Sequence, residues 1–376
     1  MKLKQFIQQE TVLTAAAVLA VVSAFFVPPD AQYLGYIDLR TLAILFSLMT
    51  VMAGLRRQGF FDGLGQALLS RTHSTFQLTL VLVGLCFFGS MFITNDVSLL
   101  TFVPFTFVVL SRLGADVRCS LLVPVVCMQT IAANLGSMLT PIGNPQNLYL
   151  YGKSGMSIGG FVLLMLPYTL VSLLLLLAWA ALVCRKASAA LSVDELVSSS
   201  ASQGDQKIIL LYLVLFAVCL LSVIRVLPYG IAFAAVLVCA LFADPRTLRT
   251  VDYSLLLTFV AFFIFIGNLG RIPAFSGWLQ EFLTGREVLV AVLASQITSN
   301  VPAALLLSGF TAETQALIIG TNLGGLGTLI ASMASLISYR QIARELPQGK
   351  KQYFGLFTLS NLIFLALLLG VWFLLR

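Results

Sequence analysis

Asp96 lies within an apolar stretch, residues 75–110, and directly follows Thr94 and Asn95. If that stretch is in a membrane, inserting an ionised aspartate costs about 2.5–3.5 kcal/mol, so the side chain needs a partner or a task. We expect no basic residue at the same depth, which leaves two tasks: Asp96 binds a cation, or it carries a proton. The alternative interpretation is structural, with Asp96 capping the following helix by accepting backbone N–H bonds.

A second polar cluster, Thr298-Ser299-Asn300, separates two apolar arms. Each arm has about ten residues, which rise ~15 Å as a helix, half of a ~30 Å hydrocarbon core. The segment is therefore predicted to be a re-entrant hairpin with its tip near the membrane midplane. Asn300 corresponds to Asn95, whose own apolar stretch is predicted to form the equivalent hairpin. Ser299 and Asn300 are also suited to cap a helix.

An Asn-Leu-Gly-x-x-x-Thr motif occurs twice, each time after a hairpin and at a constant offset of 188 residues. The two copies run from Asn134 through Gly136 to Thr140 and from Asn322 through Gly324 to Thr328. Their matching place relative to the hairpins indicates an internal repeat. The alternative is that the glycines only let helices pack closely.

The first copy leads into Pro141, Asn144 and Pro145. Each proline removes a backbone donor and clashes with the preceding turn, so this segment cannot be a continuous helix. In lipid, unwound backbone is tolerated only where protein or a water-filled cavity surrounds it. The helix ends at such a break offer N–H groups to an anion, and carbonyl, Asn and Thr oxygens to Na⁺.

The composition places these polar clusters in a membrane protein. Hydrophobic residues make up 59% of the 376 residues and charged residues only 10%, against about a quarter in soluble domains. A globule of this size cannot bury so much apolar surface. This excludes a cytosolic enzyme, a secreted disulfide scaffold and a nucleic-acid binder. The six cysteines have no metal-ligand or disulfide spacing, and a single histidine argues against a metal site.

The apolar segments predict an all-α polytopic membrane protein. Continuous spans are expected near residues 11–27, 38–55, 157–183, 208–224, 229–243, 252–270 and 354–375. Two further segments, 119–151 and 315–339, are long but broken by Gly, Pro and Asn.

The basic residues predict the orientation of the chain. With a cytoplasmic N-terminus and hairpins that return to their own side, most of the 22 Lys and Arg residues lie inside, as the positive-inside rule requires. The remaining six are outside: Arg40, Lys153, Arg225, Arg271, Arg286 and Arg376. The C-terminus is then periplasmic or extracellular, and the protein lies in a bacterial-type plasma (inner) membrane.

In this topology the two hairpins open to opposite sides, so the repeats are inverted, as in many secondary transporters. Residues 1–185 form the first inverted repeat and residues 229–376 the second. Between them lie a cytoplasmic linker, 186–207, rich in Ser and Ala, and a linking transmembrane helix, 208–228.

These motifs resemble the ion transporter superfamily, which includes the citrate-transporter-like, divalent anion/sodium symporter and arsenite permease/sodium-proton antiporter families. The resemblance spans about residues 11–375 and rests most on residues 93–97, 134–145, 299–302 and 322–325. It implies an elevator-type carrier, in which hairpins and broken helices move as a transport domain against a scaffold. It also implies a homodimer.

The hairpin tips distinguish branches of this superfamily. Sodium-dependent dicarboxylate members have a Ser-Asn-Thr triplet at each tip, which forms the sodium and carboxylate sites. Here the tips read Thr94-Asn95-Asp96 and Ser299-Asn300-Val301. Because of Asp96, the chain is more similar to the arsenite permease and antiporter branch, where a carboxylate favours proton or cation handling.

The leading hypothesis is a secondary active transporter of a small anion or oxyanion, of the carboxylate, inorganic anion or arsenite type. H⁺ or Na⁺ would drive it, with no other cofactor, and its partners are the substrate and the lipid bilayer. The predicted substrate and ion site comprises Thr94, Asn95, Asp96, Asn134, Gly136, Thr140, Pro141, Asn144, Thr298, Ser299, Asn300, Asn322, Gly324 and Thr328. A coupling Na⁺ would lie at Asn95, Asp96 and Asn300.

Other functions stay open. A Na⁺/H⁺ antiporter ranks lower because such proteins usually have more than one buried carboxylate, and this chain offers only Asp96. Arsenite efflux is another alternative, and a passive channel lined by the hairpins is a third. A membrane enzyme would need a nucleophile with a base, or a metal cluster, at membrane depth, which the sequence does not provide.

Overall fold

A computed structural model describes residues 10–70, 72–113, 115–185 and 204–376. Within these ranges the chain consists of helices and the segments that connect them, which confirms the all-α polytopic fold class. Residues 1–9, with Lys2 and Lys4, and residues 186–203, most of the predicted linker, lie outside the described residues.

The helices are numbered in chain order. The first nine are α1 Thr11–Phe26, α2 Gln32–Tyr36, α3 Leu39–Arg57, α4 Phe60–Leu69, α5 Thr75–Ile93, α6 Asn95–Ser111, α7 Ala115–Gly136, α8 Pro145–Ser154 and α9 Ile158–Cys184. Those after residue 204 are α10 Gln206–Val223, α11 Tyr229–Ala243, α12 Tyr253–Gly270, α13 Pro273–Leu283, α14 Glu287–Thr298, α15 Asn300–Ser308, α16 Thr314–Leu323, α17 Met333–Glu345 and α18 Lys350–Leu375. Short 3₁₀ helices occur at Ser137–Leu139, Thr247–Thr250 and Pro347–Gly349.

Seven helical stretches in the described ranges are long and apolar enough to cross a membrane. They are Leu39–Arg57, Thr75–Ile93, Arg118–Leu139, Ile158–Cys184, Gln206–Val223, Tyr253–Gly270 and Pro347–Leu375. Helices α1 and α11 coincide with expected spans but have only 16 and 15 residues. Prolines bound them, because Pro28 follows α1 and both Pro228 and Pro245 flank α11.

The two hairpins differ in length. Helices α5 and α6 have 19 and 17 residues, whereas α14 and α15 have 12 and 9. The arms of the second hairpin are thus short for a crossing, while α5 alone is long enough to span. The re-entrant course of the hairpins and their inversion across the membrane stay predictions.

Both long interrupted segments, 119–151 and 315–339, are broken where their prolines and glycines predict. Helix α7 ends at Gly136, a 3₁₀ turn follows, and α8 begins at Pro145. Pro145 takes the first helical position, where its missing N–H costs nothing. In the second half, α16 ends at Leu323 and α17 begins only at Met333.

Helices from the two halves exchange partners. The first helix, α1, packs along α12 of the second half, while α11 packs along α3 of the first half. The receiving helices begin in the same way. Asp38 accepts a hydrogen bond from the N–H of Thr41 (3.0 Å) at the start of α3, and Asp252 accepts one from Leu255 (3.0 Å) at the start of α12. Such caps satisfy backbone donors that a helix start leaves free.

Two short amphipathic helices were not expected from the sequence. Each precedes a hairpin, α4 before α5 and α13 before α14. Helix α4 buries Phe61, Gly65 and Leu69, and α13 buries Leu279 and Leu283, in both cases at a spacing of four residues. With 10 and 11 residues, both helices are too short to cross a membrane.

Candidate functional site

The chain reverses within a single residue at each hairpin tip. Thr94 has φ 65° and ψ 152° between α5 and α6, and Ser299 has φ 77° and ψ 155° between α14 and α15. This region of backbone space is occupied almost only by glycine. Two side-chain-bearing residues at matching positions therefore hold a backbone that must be stabilised by its surroundings.

The helix breaks provide that stabilisation. The N–H of Asn95 donates to the carbonyl of Gly143 (3.2 Å), and the N–H of Asn300 donates to the carbonyl of Ala331 (3.0 Å). Gly143 and Ala331 are separated by the same offset as the two Asn-Leu-Gly motifs. Each tip is thus bonded to its own break through an equivalent contact.

The motif threonines add a second pair of equivalent contacts. The hydroxyl of Thr140 donates to the carbonyl of Met91 (2.5 Å), and the hydroxyl of Thr328 donates to the carbonyl of Gln296 (3.1 Å). In both halves the motif threonine therefore forms a hydrogen bond between the helix break and the end of the first helix of the hairpin.

The motif glycines allow the close approach that these bonds need. A Cβ at Gly136 would lie 1.9 Å from the carbonyl oxygen of Phe87 and 2.8 Å from the hydroxyl of Ser90. A Cβ at Gly324 would lie 2.6 Å from the hydroxyl of Ser295. These glycines therefore allow close packing between helices, and they also lie where the helices break.

The motif asparagines connect the halves to each other. Asn134 Oδ1 accepts hydrogen bonds from Asn95 Nδ2 (3.0 Å) and from the Ser332 hydroxyl of the second half (2.9 Å). Asn322 Nδ2 donates to Asn147 Oδ1 of the first half (2.6 Å). Both motif asparagines are buried. Their hydrogen bonds connect the hairpin tips and the helix breaks, although neither side chain lines the pocket.

Tips and breaks surround one pocket of about 130 Å³. At the tips and breaks, the first residues of four helices line it: Asn95 of α6, Pro145 of α8, Asn300 of α15 and Met333 of α17. Thr11, the first residue of α1, lines it as well. A helix N-terminus carries a partial positive charge of about half a unit and free N–H groups. Four such ends around one small pocket favour a bound anion.

Charged side chains also line this pocket. Asp96 lies in the wall, beside the N-terminal end of its own helix, while Asp252 and Arg340 are exposed. Glu10, the first described residue, completes the charged lining. The exposed pair marks the mouth of the pocket, and Asp96 is its inner carboxylate.

Several buried polar atoms of the wall have no hydrogen-bond partner among the described residues. They are Oδ1 of Asp96, Oδ1 of Asn144, and both Oε1 and Nε2 of Gln146. Buried polar groups are nearly always hydrogen-bonded in folded proteins. Their concentration at one pocket identifies it as the candidate binding site.

A second cavity of about 370 Å³ adjoins the pocket. Asp96 and Asn144 line both, and the second cavity extends to Arg56 and Arg57 at the end of α3. Thr94 faces this cavity rather than the pocket. Asp96 therefore contacts two cavities.

The opposite ends of α8 and α15 are held together. The hydroxyls of Tyr149 and Ser308 are 2.9 Å apart, and the Lys153 ammonium donates to the Ser308 carbonyl. Arg225 donates to two carbonyl groups near the end of α8, at 3.2 and 3.3 Å. These bonds join α8, α15 and Arg225 on the side that lies away from the pocket lining.

The pocket brings together five of the fourteen residues predicted as the site. These are Asn95, Asp96, Asn144, Ser299 and Asn300. Asn134, Gly136, Thr140, Pro141, Asn322 and Gly324 support the tips and breaks without lining the pocket. Thr298 and Thr328 are exposed, and their hydroxyls donate to backbone carbonyls of α14.

Sequence reasoning missed other members of the lining, above all Gln146, Ser332, Asp252 and Arg340. A signal for two of them was present, because Gln146 and Ser332 lie at the breaks and Ser332 stands at the motif offset from Asn144. Asp252 and Arg340 had no such signal, since Asp252 caps the start of α12, Arg340 lies inside α17, and neither belongs to a motif.

Comparison with known proteins identifies the family. The citrate transporter family model matches residues 6–316. Inner membrane protein YbiR of Escherichia coli strain K12 is 34% identical over 327 residues, 84% of each chain. The uncharacterized transporter MJ0456 of Methanocaldococcus jannaschii is 31% identical over 304 residues, 81% of each chain.

A shorter similarity joins the chain to the silicon efflux transporter LSI3 of Oryza sativa subsp. japonica. The two are 31% identical over 137 residues, 36% of this chain and 27% of the relative. The family match over most of the chain carries the assignment: this multi-pass membrane protein belongs to the citrate transporter family, whose members are transporters and not enzymes.

Proposed function

We propose that the protein is a secondary active transporter of a small anion or oxyanion, driven by H⁺ or Na⁺, and that the pocket between the hairpin tips is its substrate site. The convergence of four helix N-termini on a small pocket with unpartnered polar atoms carries this proposal. The N-termini attract negative charge, and the small volume suits a small solute.

Asp96 provides a way for a cation gradient to drive transport of the anion. An ionised carboxylate in the wall repels an arriving anion and occupies part of the field of the helix N-termini. A proton on Asp96, or a Na⁺ held by Asp96, Asn95 and Asn300, removes that repulsion. Anion and cation then bind together, which is the condition for symport.

The elevator mechanism and the inverted repeats are part of the same proposal. The equivalent tip, threonine and glycine contacts in the two halves support the repeat. With a cytoplasmic N-terminus, the mouth at Asp252 and Arg340 faces the cytoplasm and the opposite side at Lys153 and Arg225 faces outward. The described conformation is then inward-open.

A Na⁺/H⁺ antiporter is the second candidate. The sequence offered only one carboxylate for it, but Asp252 lines the same pocket as Asp96. With Glu10, three carboxylates line this pocket, which suits a protein that exchanges cations without an anionic substrate. Efflux of a small oxyacid is a variant of the main proposal, and the partial relative named for silicon efflux supports it.

Purified protein in proteoliposomes tests these functions. Uptake of carboxylates, sulfate, phosphate and arsenite is measured with and without imposed pH and Na⁺ gradients. Saturable uptake that depends on a gradient, without electrical conductance, is expected. Conductance without saturation would instead indicate a channel, and Na⁺-dependent proton flux without any anion would indicate the antiporter.

A further inference from the structure

Gln146 is a fully buried residue of the pocket wall. It occupies the second position of α8, directly after Pro145. In the part of the chain that the structure describes, neither its amide oxygen nor its amide nitrogen has a hydrogen-bond partner. Because folding does not satisfy this amide, a ligand is the partner that the pocket can supply.

The hydrogen bonds around Asn144 show which of its atoms is free. Asn144 Nδ2 donates to the Ser137 hydroxyl (2.6 Å), and that hydroxyl donates its own proton to the carbonyl of Asn134 (2.9 Å). Ser137 therefore has no proton to give to Asn144, so the amide group of Asn144 cannot be reversed. The unpartnered atom is its oxygen, an acceptor.

The unpartnered side-chain atoms of the wall are thus rich in acceptors. Asn144 Oδ1 and Gln146 Oε1 accept, Asp96 Oδ1 accepts while it carries neither a proton nor Na⁺, and Gln146 Nε2 donates. This balance is the same for either orientation of the Gln146 amide. A fully deprotonated anion without hydroxyl groups brings acceptors only, so it leaves Asn144 Oδ1 and Gln146 Oε1 unsatisfied even when Asp96 holds the coupling cation. A solute with an O–H group satisfies at least one of them.

We propose that Gln146, together with Asn144 and Asp96, selects substrates that carry a hydroxyl group next to an oxygen acceptor. This inference rests on the proposed transport function and specifies its substrate class. Gln146 donates to the substrate's acceptor oxygen through Nε2, and the acceptors of the wall receive the substrate's hydroxyl proton. The class includes protonated oxyanions and hydroxy acids.

Matched pairs of solutes isolate the hydroxyl. Phosphate carries an O–H at neutral pH and sulfate does not, while malate differs from succinate by one hydroxyl. A site built to bond a hydroxyl rejects the analogue that lacks it, because its own polar groups stay unpaired. We expect the hydroxylated member of at least one pair to have a half-saturating concentration lower by about ten-fold or more.

The test uses full-length protein in proteoliposomes with radiolabelled phosphate, sulfate, malate and succinate. Gln146→Met keeps the length of the side chain and removes both polar atoms. In this variant the ratio within the preferred pair is expected to fall towards equality. Gln341→Met is the matched control, because Gln341 also has an unpartnered amide oxygen but does not line the pocket. It is expected to keep the wild-type ratio.

The outcomes separate this inference from the proposed function. Equal or better uptake of both sulfate and succinate by the wild type overturns hydroxyl selection, whether or not Gln146→Met folds. An unchanged ratio in a folded Gln146→Met protein also overturns it, as does a lack of uptake of all four solutes. If uptake selects the hydroxylated solute but ignores H⁺ and Na⁺ gradients, the inference stands and the proposed coupled transport fails.

Discussion

Thr94 and Ser299 hold the same unusual backbone conformation, and in each case the N–H of the next residue donates to a carbonyl of the adjacent helix break. A residue with a side chain in this region costs about 1–3 kcal/mol relative to a relaxed backbone. The hairpin tips therefore store strain that the bonds from Asn95 and Asn300 counteract.

Replacing the strained residue by glycine should release part of this energy. We expect Thr94→Gly and Ser299→Gly to raise the melting temperature in detergent, since glycine adopts this backbone freely. Thr298→Gly is the control, because Thr298 is helical and exposed and has no left-handed backbone for glycine to relieve, so it should not raise the melting temperature. Equal destabilisation by all three variants would show that the tips are not strained.

Neutralising the inner carboxylate should separate binding from coupling. Asp96→Asn keeps the size of the side chain but neither ionises nor holds a proton, so gradient-driven uptake in proteoliposomes should be abolished. Exchange of labelled for unlabelled substrate, which needs no gradient, should persist. Asp252→Asn at the exposed mouth should keep coupled uptake. If it stops coupling as well, the Na⁺/H⁺ antiporter gains support.

The close contact at Gly136 predicts a severe effect of one methyl group. A Cβ there meets backbone at 1.9 Å, and backbone cannot move aside cheaply. Overpacking of this kind costs about 1–3 kcal/mol or more, so Gly136→Ala should clearly lower the melting temperature. At Gly355, in α18, no atom of the described residues lies within 4 Å of a Cβ, apart from the local backbone of the same helix. Gly355→Ala should therefore be neutral or slightly stabilising, and a similar loss at both sites would contradict the packing argument.

Cysteine labelling can test the predicted orientation. Cys119 is exposed beside Arg118 near the start of α7, while Cys239 is half-buried and the other cysteines are buried. A membrane-impermeant maleimide should react with Cys119 in inside-out vesicles and not in right-side-out ones. Cys119→Ser should remove that signal. Labelling in right-side-out vesicles alone would place the N-terminus outside.

Residue spacing predicted the skeleton of this site well, because prolines, glycines and short apolar arms leave few options in a membrane. The polar triplets at Asn95 and Asn300 predicted the reversals, and the prolines after Thr140 predicted the break. The sequence did not predict which side chains point from their helices into the pocket and which point away from it. Thr298 is adjacent to the tip, yet its helix turns it outward.

Gln146 shows a second kind of site residue that the sequence alone could not predict. A glutamine beside proline carries no charge, so it gives no energetic signal comparable with that of Asp96. Its importance depends on the absence of partners, which becomes visible only when every neighbour is in place. Motif spacing identified the residues that build the site more reliably than those that face into it.

The exchange of helices between the halves has a consequence for synthesis. Helix α1 leaves the ribosome long before its partner α12, and at about 5–20 residues per second the delay is on the order of 10–50 s. During that time the short apolar α1 has lipid or an insertion factor as its neighbour instead of α12. Truncation before α12 should therefore leave α1 unprotected, and membrane quality control would have a long interval in which to recognise an incomplete chain.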